Sequence, residues 1–284
     1  MQSLLLCDAS DTREAGRDRN QDGIKSSYFF SSNFDSDLQA RLADFAQFPF
    51  SAASALLAGP PRSGKTTLLF QYAHNHLLEN PHDTALVIAK RQRLEGAPPL
   101  LPQGVTKTSL PYERLHLRYL DSDRELRKFF ACIHLLESLP SLIIVDDFAD
   151  FFSESRVGEH GIPTKSREQV FVKTLALLHE AGCFIRQSKQ RPCTILVSDT
   201  NVGEMPRNLY LYQRWIPLSV KIKDGVGNMF TASACDAGSG VTLRASYSIT
   251  AASLILEHID GKQSNDQEQG SSAWAADPTL GLAS

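Results

Sequence analysis

Apolar positions along the chain follow two rhythms. Short apolar runs at Ser54–Ala58, Ala85–Ala89, Leu115–Leu120, Leu142–Val145 and Thr194–Val197 are separated by stretches with helical spacing, clearest at Thr66–Leu78, Ser122–Leu136 and Arg167–Gln187. Strand-length runs alternating with helical stretches predict a mostly parallel sheet flanked by helices. After Arg214 the rhythm changes. Val241, Leu243, Ala245, Tyr247 and Ile249 alternate with Thr242, Arg244, Ser246 and Ser248, the two-residue period of a half-buried strand. With Ser219–Lys223, Met229–Ala234 and Leu254–Glu257, and with turns at Asp224-Gly225 and Gly238–Gly240, this predicts an antiparallel β extension of the same sheet.

The flanks read differently. Asp8–Ser27 is rich in Asp, Arg, Asn and Ser and poor in large apolar residues, too little to offset the entropy of ordering, so residues 1–33 are expected to form a disordered lead. Asp35 or Ser36 can cap a short helix carrying Leu38, Leu42 and Phe45 and ending before Pro49; residues 34–52 are expected to be that helix and a linker. Residues 53–259 make the core. From Asp260 the Gln/Ser/Asp/Gly composition predicts a disordered tail over 260–284. No internal repeat is evident.

Length and charge narrow the function classes. At 284 residues the chain fits one large α/β domain with tails. A formal charge of −3 argues against a globally basic nucleic-acid coat and leaves room for local DNA contacts. The five cysteines form no CxxC pair, so neither a disulfide framework nor a zinc ribbon is indicated, and a reducing compartment is expected. No run is apolar for the length a bilayer requires, so no membrane partner is expected.

The chemistry concentrates after the first strand. Gly59-Pro60-Pro61-Arg62-Ser63-Gly64-Lys65-Thr66 fits GxxxxGK[ST], a P-loop, between an apolar strand and a helix that continues through Thr67. In such a loop main-chain N–H groups and the helix start cradle phosphates, Lys65 reaches the β/γ oxygens, and the Thr66 hydroxyl ligates Mg²⁺. Ser141–Asp147 has the form of a Walker B strand, an apolar run delivering Asp146 to the sheet edge as the Mg²⁺-side carboxylate; for Asp147, solvation alone is a sufficient account. The implied ligands are ATP and Mg²⁺.

Hydrolysis needs a group that orients the attacking water, and none is evident. The strand Ala85–Ala89 ends in Lys90-Arg91-Gln92-Arg93 where RecA-type ATPases carry a glutamate, with Glu95 beyond. Slow or partner-dependent hydrolysis is expected. Lys90, Arg91 and Arg93 could contact a nucleic-acid or nucleotide phosphate, with a solvated loop the better account and no site assigned to them. Ser198-Asp199-Thr200-Asn201, ending another strand, reads equally as a γ-phosphate sensor or as an Asx-rich turn. The loops Glu154–Ser166 and Val202–Arg207 are candidates for facing DNA, although both lack the interleaved aromatic and basic residues of a strong single-strand platform. Phe50-Ser51-Ala52-Ala53 fits the FxxA docking pattern of recombinases, with core packing the better account.

Arg62 before Ser63-Gly64-Lys65-Thr66 resembles the P-loop of eukaryotic RecA-family recombinases. The runs Leu57-Ala58-Gly59, Lys65–Phe70, Arg124-Glu125-Leu126, Ser141–Asp146 and Tyr212–Pro217 resemble the ATPase subunit that partners the SWIM-domain zinc protein in Shu-type complexes, over roughly 53–257. That resemblance implies a RecA-like fold and a nuclear, ATP-binding accessory factor in homologous recombination. It implies binding of single-stranded DNA and the SWIM-domain protein, support of the filament of a RecA-family recombinase, and weak DNA-stimulated ATPase activity. Two departures stand out: no helix-hairpin-helix DNA-binding domain precedes the core, and the glutamate is missing. The competing expectations are a small-molecule or nucleotide kinase, for which no Arg-rich lid is evident, and a stand-alone RecA-like ATPase.

Overall fold

A computed structural model of the chain describes residues 23–30, 52–101, 110–152, 164–201, 208–235 and 241–263. Nine strands form one sheet: β1 Ser54–Gly59, β2 Ala85–Ala89, β3 Leu115–Tyr119, β4 Leu142–Val145, β5 Thr194–Thr200, β6 Leu218–Asp224, β7 Met229–Cys235, β8 Val241–Ile249 and β9 Leu254–Gln263, in the order β3-β2-β4-β5-β1-β6-β7-β8-β9. The first six in that order run parallel. From β6 onward the pairing is antiparallel. The fold is therefore α/β, with a mostly parallel central sheet, flanking helices and a C-terminal antiparallel extension.

Parallel strands need helical crossovers, and these cover both faces. The helices are α1 Lys65–Glu79, α2 Arg91–Gly96, α3 Asp123–Ala131, α4 Thr164–Lys189 and α5 Leu209–Tyr212. Alternation along β1 shows the result. Ala55 and Leu57 join one core with Leu68, Leu69 and Tyr72 of α1, whereas Leu56 and Ala58 join the other with Phe171, Leu175 and Leu178 of α4. Both faces of the strand are buried, which is why its sequence is continuously apolar.

The lead expected over 1–33 is structured at its end. Ile24 donates its N–H to the Ala52 carbonyl (3.2 Å), and a turn of 3₁₀ helix at Ser26–Phe29 buries Tyr28 and Phe29. Both rings pack on Tyr72, with centroids 5.2 and 4.9 Å away, and Asn75 donates to the Tyr28 and Phe30 carbonyls. Polar composition up to Ser27 concealed this because three consecutive aromatics are enough to dock the segment, each adding about 1.5–3 kcal/mol on full burial. At the other end β9 continues past 259, pairing Gln263 with Val241, because antiparallel partners for those residues already exist in β8. The expected helix at Leu38–Phe45 and the tail from 264 lie outside the described residues, as do most of the two loops considered for DNA contact; Thr164–Ser166 opens α4.

Candidate functional site

β1, β2, β4 and β5 run parallel, so their C-terminal ends share one edge of the sheet. The Gly59–Thr66 loop leaves β1 there and turns into α1. Gly64, the residue before the helix, has φ 77°, in the left-handed region. A methyl group on it would also stand 2.9 Å from Ile249 Cδ1. Glycine is thus needed for backbone conformation and for the approach of the β8–β9 hairpin. The turn is closed by Ser63 Oγ, which donates to the Pro60 carbonyl (2.9 Å).

Lys65 is buried, and among the described residues its ammonium donates to main-chain carbonyls alone, Pro60 O at 2.7 Å and Gly59 O at 3.2 Å. Burial pushes its pKa down, with the charges of Asp147 and Asp146 opposing that shift. A cation held this way lies beside the free N–H groups at the start of a 15-residue helix, an arrangement suited to an anion.

Across from the helix start, Thr66 Oγ1 donates to Asp146 Oδ2 at 2.8 Å. Asp146 follows β4, and β5 lies between that strand and β1. Ser198 on β5 fills the gap, donating to Asp146 Oδ1 (2.6 Å) and accepting the Asp147 N–H (2.8 Å). Burial, then the neighbouring Asp147 charge, raises the Asp146 pKa against these hydrogen bonds. Among the described residues no cluster of three His, Cys, Asp or Glu could hold a metal by itself. A hydroxyl and a carboxylate at the mouth of the loop instead match how Mg²⁺ is commonly held, by hard oxygen donors completed with substrate phosphates.

Asp147 is not solvated. Its side chain is 5% exposed and φ is 49°. One oxygen accepts from Thr200 Oγ1 and the other is ion-paired with Arg93. The Lys90–Arg93 run is likewise no free loop, because Leu94 buries and winds it into α2. Arg91 stacks over Tyr119 and pairs with Glu95 (3.0 Å), while Lys90 Nζ lies 4.0 Å from Asp150. Arg93 alone of these lines the cleft. Glu95 does not line it, and among the described residues no glutamate does.

Ser198 and Thr200 are therefore strand residues bonded to the two carboxylates, while Asp199 accepts from Tyr212 Oη (3.0 Å) behind them. The antiparallel extension supports the loop from the other side. Gly59 packs on Ile222 of β6, and Tyr247 of β8 donates to the Ser63 carbonyl (2.7 Å).

Together these residues form a cleft of about 400 Å³. Pro61, Arg62, Ser63, Gly64, Lys65, Thr66, Thr67 and Asp146, all expected from sequence, line it, with Gly59 and Pro60 at its base as the acceptors of Lys65. Thr67 accepts the Leu100 N–H (3.2 Å), tying the Pro98–Leu100 rim to α1. Sequence reasoning raised Arg93 as a possible phosphate contact without assigning it to the site, and missed the Ile249–Thr250 rim. The only available signal for Arg93 was its place just past a strand ending at the shared edge. Comparison with known proteins gives no further guide, since no protein-family model and no curated protein matches the chain.

Proposed function

We propose that this chain has a RecA-like P-loop fold, binds ATP with Mg²⁺ in the cleft, and serves as a nuclear recombinase-paralogue accessory factor in homologous recombination. The observation behind the nucleotide reading is the Thr66–Asp146 hydrogen bond beside a buried lysine at a helix start. The main-chain N–H groups of that start and Lys65 would bind the phosphates, and Thr66 and Asp146 would hold the metal. Held by Thr66 and Asp146, Mg²⁺ would supply positive charge to offset that of the phosphates. Among the described residues the cleft lining has no glutamate to orient water, which favours weak or partner-dependent hydrolysis.

The wider role rests on the sequence resemblance given above. In this reading the ATP-bound chain joins a SWIM-domain zinc protein on single-stranded DNA and supports a RecA-family recombinase filament, so binding matters more than turnover. Co-expression with the SWIM-domain protein, with and without ATP, tests it. Stable co-purification and retention on single-stranded DNA are the expected result; a folded, ATP-binding chain that stays apart from that partner would overturn the assembly and leave the nucleotide site standing.

A further inference from the structure

Arg93 is a charged cleft residue for which binding of a nucleotide by itself gives no role. Its guanidinium holds one Asp147 oxygen, reaches Thr200 Oγ1 at 3.3 Å, and lies 3.9 Å from Asp150. The arginine side chain is 43% exposed while Asp147 is almost wholly buried. The acid is thus fixed, gripped also by Thr200, and the base is the member free to swing. Arg93 stands close enough to Lys65 and Asp146 for its charge to act on both, and it shares the cleft wall with Thr66. A terminal phosphate seated between Lys65 and Thr66 would bring a more densely charged, more accessible acceptor within reach of the same guanidinium.

We infer that Arg93 is a γ-phosphate sensor, latched on Asp147 when the terminal phosphate is absent and transferred to that phosphate when a triphosphate binds. The inference rests on the nucleotide-binding reading and deepens it. Transfer leaves Asp147 held by Thr200 alone and draws α2 toward the phosphates, since Arg93 lies within that helix. Binding of triphosphate is thereby distinguished from binding of diphosphate, as an ATP-organised assembly requires. No bond to phosphorus is made or broken.

The test is equilibrium binding of Mg²⁺ with ADP and with the non-hydrolysable β,γ-imido triphosphate to the full chain. Arg93→Ala is expected to weaken the triphosphate by about tenfold or more and leave ADP within about twofold. Asp147→Asn, which weakens the latch but keeps the shape, shifts the preference toward triphosphate. Arg93→Lys restores part of what Arg93→Ala loses, and retained ADP binding shows that each variant is folded. Equal loss of both ligands in Arg93→Ala, or no loss of either, overturns the sensor while leaving the nucleotide site intact. If the unaltered chain binds neither ligand, both readings fall.

Discussion

Tyr247 donates its phenolic hydrogen to the main-chain carbonyl of Ser63 at 2.7 Å, joining the antiparallel extension to the loop that opens α1. The register shift between Ser246 and Tyr247 helps explain how. Ser246 faces His258 and Tyr247 faces Leu256, so β9 carries one extra residue, Glu257, at this point. Such a bulge twists the pair locally and re-aims side chains, here beside the ring that runs beneath the loop. The extension is therefore part of the site's support.

Tyr247→Phe keeps the ring and deletes that hydrogen bond, leaving a buried carbonyl unsatisfied. Loss of about 1–2 kcal/mol of stability is expected. Nucleotide affinity should fall by about two- to fivefold as the loop loosens, a smaller effect than removing a charged hydrogen bond. Thermal unfolding and nucleotide titration on one preparation check both. Unchanged stability would show that the Ser63 carbonyl finds water instead.

Two glycines with positive φ separate backbone strain from contact. Gly64 and Gly227 have φ 77° and 68°, but only at Gly64 would a methyl group meet a neighbour, Ile249 Cδ1 at 2.9 Å. Gly227→Ala should cost the left-handed backbone penalty alone, about 1–2 kcal/mol. Gly64→Ala should cost that plus about 1 kcal/mol of overpacking, and should also weaken nucleotide binding. Denaturant melts of the two variants give the difference. Equal costs would mean that the Ile249 side chain yields freely.

Much of this is legible in the sequence. The strands Ala85–Ala89 and Leu142–Val145 coincide with apolar runs, because a strand buried on both faces writes itself as a continuous apolar run. Thr66 and Asp146 were readable as a pair because each sits at a fixed offset from such a run. Arg93 was not, since Arg-Gln-Arg-Leu-Glu-Gly has the composition of a solvated loop and only the burial of one leucine makes it a helix against the cleft. The docking of Tyr28 on Tyr72 and of Tyr247 beneath Ser63 depends on contacts 44 and 184 positions apart, which no local window contains.

Asp199 supplies a pH signature. Burial raises its carboxyl pKa from 3.8 to about 6, against the hydrogen bond from Tyr212. A raised acid pKa means that the folded state binds protons more tightly than the unfolded chain. Its contribution is most favourable below about pH 4 and is lost as pH rises through 6. Asp199→Asn is uncharged at every pH but can keep only one of the two hydrogen bonds that Asp199 accepts, from Tyr212 Oη and from the Thr200 N–H. Its stability relative to the original should therefore rise with pH between about 4 and 8, by an amount on the order of 2–3 kcal/mol. A stability difference independent of pH would contradict it.

The most direct measurement is a titration of the full chain with a fluorescent ATP analogue and Mg²⁺, alongside Lys65→Ala. Among the described residues Lys65 donates to the Gly59 and Pro60 carbonyls and to no side chain, so the substitution removes no direct ion pair with them. The account predicts saturable binding by the unaltered chain and a loss of about tenfold or more in the variant at unchanged melting temperature. Equal affinity in the two proteins, or no binding by either, would contradict the assignment of Gly59–Thr66 as a nucleotide site.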